Sequence, residues 1–158
     1  MMESGKMNYW LFKTEPSECS IDDFARNPQQ PIVWEGVRNY QARNYLRDHV
    51  TVGDQVLIYH SSCKLIGVAG IVEVVRAAYA DPSQFDSRNV YYDPKSTAAQ
   101  PRWVAVDLSF VSKLPAVITL DKIKSSAKMG QLPLVQKGSR LSVMPVTAQQ
   151  WCDLLALQ

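Results

Sequence analysis

Hydrophobic and polar positions alternate most cleanly over residues 102–110. Val104, Val106, Leu108 and Phe110 point to one side, and Trp103, Ala105, Asp107 and Ser109 to the other, a period of two that predicts a strand. The same period runs over residues 8–14, with Tyr9, Leu11 and Lys13 opposite Trp10, Phe12 and Thr14; both faces are apolar as far as Phe12, which makes the strand central, and Pro16 ends it. Residues 55–60, Q-V-L-I-Y-H, are β-branched and aromatic and predict a buried strand. Residues 65–75 predict a long strand with Ile66, Val68, Val72 and Val74 on its apolar face, and Gly67 and Gly70 mark a bulge or bend within it. A short extended piece covers Ile32, Val33 and Trp34, and a last strand follows the turn at Gly138 and stops at Pro145.

Between these stretches the period changes. Ser20 caps a short helix whose Ile21, Phe24 and Ala25 share a face, with Asp22 and Asp23 at its positive end. Ala42, Tyr45, Leu46 and His49 fall at i, i+3, i+4 and i+7 behind an Asn39 cap. Residues 120–127 predict a weak helix. Thr147 and Gln150 form a capping box ahead of a terminal helix that buries Trp151, Leu154 and Leu155. Residues 91–101 read as a long loop. The tally is about six strands and four short helices without a β-α-β rhythm. The fold class expected is therefore α+β, with a small, mostly antiparallel, strongly curved sheet.

Composition narrows the function classes. A chain of 158 residues with 46% hydrophobic and 20% charged content fits one ordinary globular domain. A net charge of +2 is too mild for a nonspecific duplex binder and leaves open a protein that takes one base into a pocket. The three cysteines, Cys19, Cys63 and Cys152, form no C-x-x-C pair, and with only His49 and His60 beside them they make no metal-ligand pattern. No apolar run approaches the ~20 residues of a membrane span, and residues 1–7 lack a signal-peptide core, so they read as a disordered tail.

Candidate chemistry concentrates in residues 34–47, W-E-G-V-R-N-Y-Q-A-R-N-Y-L-R. Trp34 arrives extended, Gly36 turns the backbone, and a helix starts after Asn39. An aromatic face, a cation and an amide thus crowd one corner, as a planar polar ligand requires. On the residues alone, Trp34 is equally readable as core and the arginines as solvated surface. His60 with Cys63 invites a nucleophile and its base; the alternative is a buried histidine near a small thiol. Trp10, Tyr59 and Trp103 also stand near strands beside polar residues, where they serve either as stacking faces or as filling.

The segments Y-W-L-F-K-T-E-P-S, W-E-G-V-R-N-Y-Q-A-R-N-Y-L-R, Y-H-S-S-C-K, Y-Y-D-P-K-S, P-R-W-V-A-V-D and G-S-R-L-S-V-M-P-V together resemble the EVE domain family. The resemblance runs through a single domain over residues 8–158. It implies a PUA-like curved β-barrel with peripheral short helices, akin to YTH and ASCH domains. It also implies a non-catalytic module that binds DNA or RNA by holding a modified base, a methylated or hydroxymethylated cytosine or a methylated adenine. Carried over by residue, the ligand-binding set is Trp10, Lys13, Thr14, Trp34, Val37, Arg38, Asn39, Tyr59, His60, Ser61, Cys63, Trp103, Arg140, Leu141 and Ser142. In it Trp34 stacks on the base, Asn39 reads a base edge, and Arg38 and Arg140 meet phosphate. Cys19 stands where an aromatic is expected. No catalytic residue, cofactor, metal or membrane is implied. A monomer is expected, cytoplasmic in a bacterium and nuclear in a eukaryote. A small Cys/His hydrolase or transferase, and a small-molecule or protein-interaction module, are the alternatives.

Overall fold

The computed structural model describes residues 7–158, so the tail expected at residues 1–7 lies, except for Met7, outside the described residues. The strands are β1 (Tyr9–Thr14), β2 (Ile32–Trp34), β3 (Gln55–His60), β4 (Gly67–Ala80), β5 (Val104–Thr119) and β6 (Val143–Val146). The helices are α1 (Ile21–Arg26), α2 (Tyr40–Asp48), α3 (Leu120–Lys124) and α4 (Ala148–Leu155). All six strands join one mixed sheet in the order β2-β5-β4-β3-β1-β6. Only β1 and β3 pair in parallel, and α1, β2 and α2 fill the crossover between them.

The α+β class and the mostly antiparallel pairing are as the sequence predicts. The barrel is not closed: among the described residues no ladder joins β2 to the other end of the sheet. β2 contributes only three residues, paired along one edge with β5, and its other edge carries no ladder among the described residues. The sheet nevertheless curls strongly. Register shifts interrupt both the β3–β4 and the β4–β5 ladders, and such bulges bend and twist a strand. As a result Phe12 of β1 meets Trp34 of β2 with ring centroids 5.6 Å apart, although three strands lie between them in the sheet order. The two ends of the sheet face each other across an open seam.

The core covers both faces of the curled sheet: the neighbours Leu11 and Phe12, and Leu57 and Ile58, point to opposite sides and are each fully buried, as are Val72 and Leu108. Gly70 sits at one of the β4 register shifts, and a Cβ there would collide with the Ile21 side chain of α1; the glycine lets that helix lie directly on the sheet. Three caps follow the sequence: Ser20 and Asp23 close a capping box on α1, Asn39 caps α2, and Thr147 and Gln150 close a second box on α4.

Three boundaries differ from expectation. Pro145 does not end the last strand but lies inside β6, opposite Trp10. That strand is an edge, so a residue without an N–H costs the ladder nothing on its outer side. Both long strands overrun their predicted ends: Arg76–Ala80 of β4 runs along Val104–Asp107, and the extension of β5 to Thr119 runs along Gly67–Ile71. Residues 81–103 are a knitted loop. Gln84 is fully buried and donates to the Asp81 and Trp103 carbonyls at 2.8 Å each, while its oxygen accepts from Ser96 Oγ and from the Arg102 and Trp103 amides.

Candidate functional site

A cavity of about 500 Å³ lies in the open seam. Lys13 and Thr14 at the end of β1 form one side, Trp34 and the Val37, Arg38 and Asn39 segment form the other, and Ser142 just ahead of β6 closes the gap. The Lys13 amide donates to the Ser142 carbonyl at 2.9 Å, which fixes that third element in place. These residues were all expected at the site. The cavity also takes in Glu18, Cys19, Asp23, Ile32, Val33, Glu35, Gly36 and Tyr91, which sequence reasoning missed. Glu35 and Gly36 lay within the singled-out stretch and were signalled by it; Tyr91 comes from a loop with no periodicity to place it.

Trp34 is both core and wall. It is 7% exposed and packs against Phe12 and against Phe24, stacked at 6.5 Å. Its indole N–H donates to no described residue, and among the described residues no buried side-chain polar atom lacks a partner; the N–H of this cavity-lining residue is therefore accessible. Asn39 spends its oxygen on the Ala42 amide at 2.9 Å as the α2 cap. That leaves its NH2 group as a pair of unspent donors at the rim. Lys13 Nζ lies 5.8 Å from the Tyr59 ring centroid and has no carboxylate partner among the described residues; burial lowers its pKa. Glu35 accepts no hydrogen bond from the described residues, and its carboxyl is raised above the usual range by burial first and then by nearby Asp81, against the pull of Arg38. The Cys19 thiol is pushed up to about 11 by burial, then by Asp23 and Glu18, so it stays a neutral, soft wall. The lining thus mixes an apolar face with both donors and acceptors.

Arg38 holds the rim together instead of reaching outward. Its Nη1 donates to the Val37 carbonyl and to Asp81 Oδ2, its Nη2 to Ser83 Oγ and the Tyr91 carbonyl, and its Nε to the same carbonyl, all within 3.1 Å. A guanidinium has five N–H donors, so none remains for a phosphate. Its expected phosphate contact is replaced by a structural one. Asp81 is fully buried and also accepts from the Gly36 amide at 2.8 Å and from the Ser83 amide at 2.7 Å. Gly36 has φ +87°, and a Cβ there would lie 2.6 Å from the Tyr91 ring. Tyr91 is pinned against it, with its hydroxyl on Glu18 and its carbonyl on Arg38.

The remaining expected residues lie outside the cavity. Trp10 is buried and donates its indole N–H to Asp54 at 2.9 Å. Trp103 lies behind Arg38, donates to Asp93 at 2.8 Å and stacks on Tyr40 at 4.8 Å. Tyr59 and Leu141 are buried, and the Ser61 amide and hydroxyl both donate to the Thr14 carbonyl. Arg140 is exposed and in no ion pair among the described residues. Cys63 donates to the Leu65 carbonyl at 3.6 Å, while His60 Nε2 accepts from the Ile21 amide at 3.2 Å. The ring nitrogen that would serve as base is therefore turned to α1 and not to the thiol.

That histidine gives a pH dependence. Burial lowers the His60 pKa below 6.5, Lys113 adds to the shift, and Asp22 and Asp23 oppose it. A group depressed in the folded state contributes stability that is present above its unfolded pKa and lost as pH falls through the folded one. The melting temperature should hold above pH 6.5 and decline below it. His60→Gln, which keeps a neutral acceptor, should flatten that decline; an unchanged profile in the variant would remove His60 as its cause.

The molecule is thus a small α+β domain with a mixed polar and aromatic cavity in the seam of its curled sheet. The chain belongs to the EVE domain family, which it matches over residues 8–157. Thymocyte nuclear protein 1 of Mus musculus is 38% identical over 96% of this chain and 74% of its own length. Among solved structures, a protein from Pseudomonas syringae is 50% identical, with TM-score 0.91 over 94% of this chain and 98% of that one. A crystal structure of human THYN1 protein in complex with 5-methylcytosine containing DNA is 36% identical, with TM-score 0.89 over 95% of this chain and 96% of that one.

Proposed function

We propose that this chain is a non-catalytic module, a single EVE domain over residues 8–158, that takes one modified base of a nucleic acid, 5-methylcytosine first, into the seam cavity. The observation that carries it is the lining: an aromatic wall, unspent amide donors and an unspent carboxylate in a space of about 500 Å³. That is the size and polarity of a small-molecule site, typically ~300–1,000 Å³. Cytosine presents one amine donor and two edge acceptors. The Glu35 carboxylate suits the amine, and the Asn39 NH2 and Lys13 ammonium suit the acceptors. Ile32, Val37 and the neutral Cys19 thiol offer apolar surface to a 5-methyl group. A relative at 36% identity whose structure holds 5-methylcytosine containing DNA supports that choice of base. The open sheet serves as a PUA-like barrel whose missing seam is the doorway. In this reading the chain works as a monomer where its nucleic acid lies, the cytoplasm of a bacterium or the nucleus of a eukaryote.

The test is affinity for matched oligonucleotides carrying cytosine, 5-methylcytosine, 5-hydroxymethylcytosine or N6-methyladenine, in single-stranded and duplex form. Tighter binding of 5-methylcytosine than of cytosine is expected; equal affinity across the set in both forms would end the proposal. Asn39→Asp isolates the edge contact. An aspartate still caps α2, so the melt should not move, but the two N–H donors are gone. Binding of the methylated strand should weaken by up to about tenfold, the net scale of one hydrogen bond. Phosphate contact falls to exposed Arg140, and Arg140→Gln should reduce the salt slope of binding by about one unit.

A further inference from the structure

Val90 is 87% exposed, the most exposed large apolar side chain among the described residues. A lone exposed valine is ordinary in a soluble protein; its position is not. It immediately precedes Tyr91, whose ring lines the cavity. The tip that carries it is braced by local hydrogen bonds. The Arg88 amide donates to Asp86 Oδ1 at 3.0 Å and the Asn89 amide to the Asp86 carbonyl at 2.9 Å. The Tyr91 amide donates to Asn89 Oδ1 at 2.9 Å and the Tyr92 amide to the Asn89 carbonyl at 3.0 Å. Beyond the tip, Tyr91 is clamped by Gly36, Arg38 and Glu18. An apolar side chain is thus exposed on a hydrogen-bonded turn directly adjoining a residue of the cavity wall, with the exposed cation Arg88 two residues before it.

A base that enters a protein cavity from a duplex leaves a gap in its stack, and opening the pair costs a few kcal/mol. Apolar side chains wedged between base steps are a known way of holding a duplex open. From its place beside the cavity wall, we infer that Val90 inserts into duplex DNA in the space vacated by the base bound in the seam, with Arg88 on the flanking phosphate. The inference rests on the base-binding reading above and adds to it a duplex partner and the residue that opens it.

The experiment uses three probes of one sequence with a single 5-methylcytosine: a single strand, a paired duplex, and a duplex with an abasic site opposite the methylated base. In the single strand and the abasic duplex the pair is already absent, so the wedge has less to do. Val90→Ala should weaken binding of the paired duplex about tenfold while changing the other two by less than about twofold. Val90→Ile should bind the paired duplex like the wild type. Both variants should melt with the wild type, since the side chain is exposed. Equal affinity of Val90→Ala and wild type for the paired duplex overturns the inference, as does an equal loss on all three probes. A wild type that binds the single strand with preference for the methylated base but not the paired duplex overturns the inference and leaves the base-binding reading standing. A wild type with no such preference on any probe overturns both.

Discussion

Trp34→Ala should destabilise the protein by about 3–5 kcal/mol and abolish preference for the methylated base, because one side chain serves two surfaces. On its inner face Trp34 joins Phe12 of β1 to Phe24 of α1, a contact across the seam where no backbone ladder runs among the described residues. On its outer edge it lines the cavity. Removing it empties a core position and takes away the stacking surface together. Trp34→Phe keeps an aromatic plane against Phe12 and Phe24, so it should recover most of the stability and only part of the affinity, the indole N–H being lost. Thermal melts, with affinities measured well below each melting point, separate the two effects. An Ala variant that melts early and yet binds the methylated strand normally while folded would assign Trp34 to the core alone.

Asp81→Ala should cost about as much, ~3–5 kcal/mol, the usual penalty for leaving a buried ion-pair partner uncompensated. Its carboxylate is the shared acceptor for the Arg38 guanidinium, the Gly36 and Ser83 amides and the Ser83 hydroxyl. Without it the strand-to-helix corner and the 81–103 loop lose the group that ties them. Burial alone would raise the Asp81 pKa, but hydrogen bonds from Ser83, Gly36 and Arg38 and the Arg38 charge outweigh it and lower the pKa below 3.8. The stability it supplies is therefore complete above pH 3.8 and is lost as pH falls through the depressed folded value. Asp81→Asn, with one acceptor and no charge, should fall between Ala and the wild type. Amide exchange at Gly36 and Ser83 reads the effect directly; protection of both unchanged in Asp81→Ala would show that the network does not depend on the carboxylate.

What the sequence made legible follows its periodicities. β1 and β3 are short, apolar and bounded by turn residues, and the caps at Ser20, Asn39 and Thr147 are local chemistry, so each could be read without knowing what lay opposite. The overrunning ends of β4 and β5 could not, because residues such as Arg76 and Lys113 look like loop until the partner strand is present. Gln84 was hidden for the opposite reason: a polar residue reads as solvent-facing, and only the fold supplies the five partners that let it be buried. The same holds at the site. Trp34, Val37, Arg38 and Asn39 are neighbours in the chain and announced a corner together. Tyr91 meets Gly36 across more than fifty residues, and nothing local encodes that meeting. The indoles of Trp10 and Trp103 looked like stacking faces, and the carboxylates of Asp54 and Asp93 that claim them are too distant in sequence or too ordinary to have signalled it.

The unclosed seam sets how the cavity breathes. Its facing walls hang from opposite ends of one hydrogen-bonded ladder, so widening the mouth breaks side-chain contacts, chiefly Trp34 against Phe12, and no inter-strand backbone bond. Packing of buried Trp34 and Phe12 opposes that widening, but no strand ladder among the described residues does. A pocket bounded this way is compliant across its width and stiff along it, where β1 and β5 remain fully paired. Size discrimination is therefore sharper for a substituent that projects along the seam than for one that projects across it.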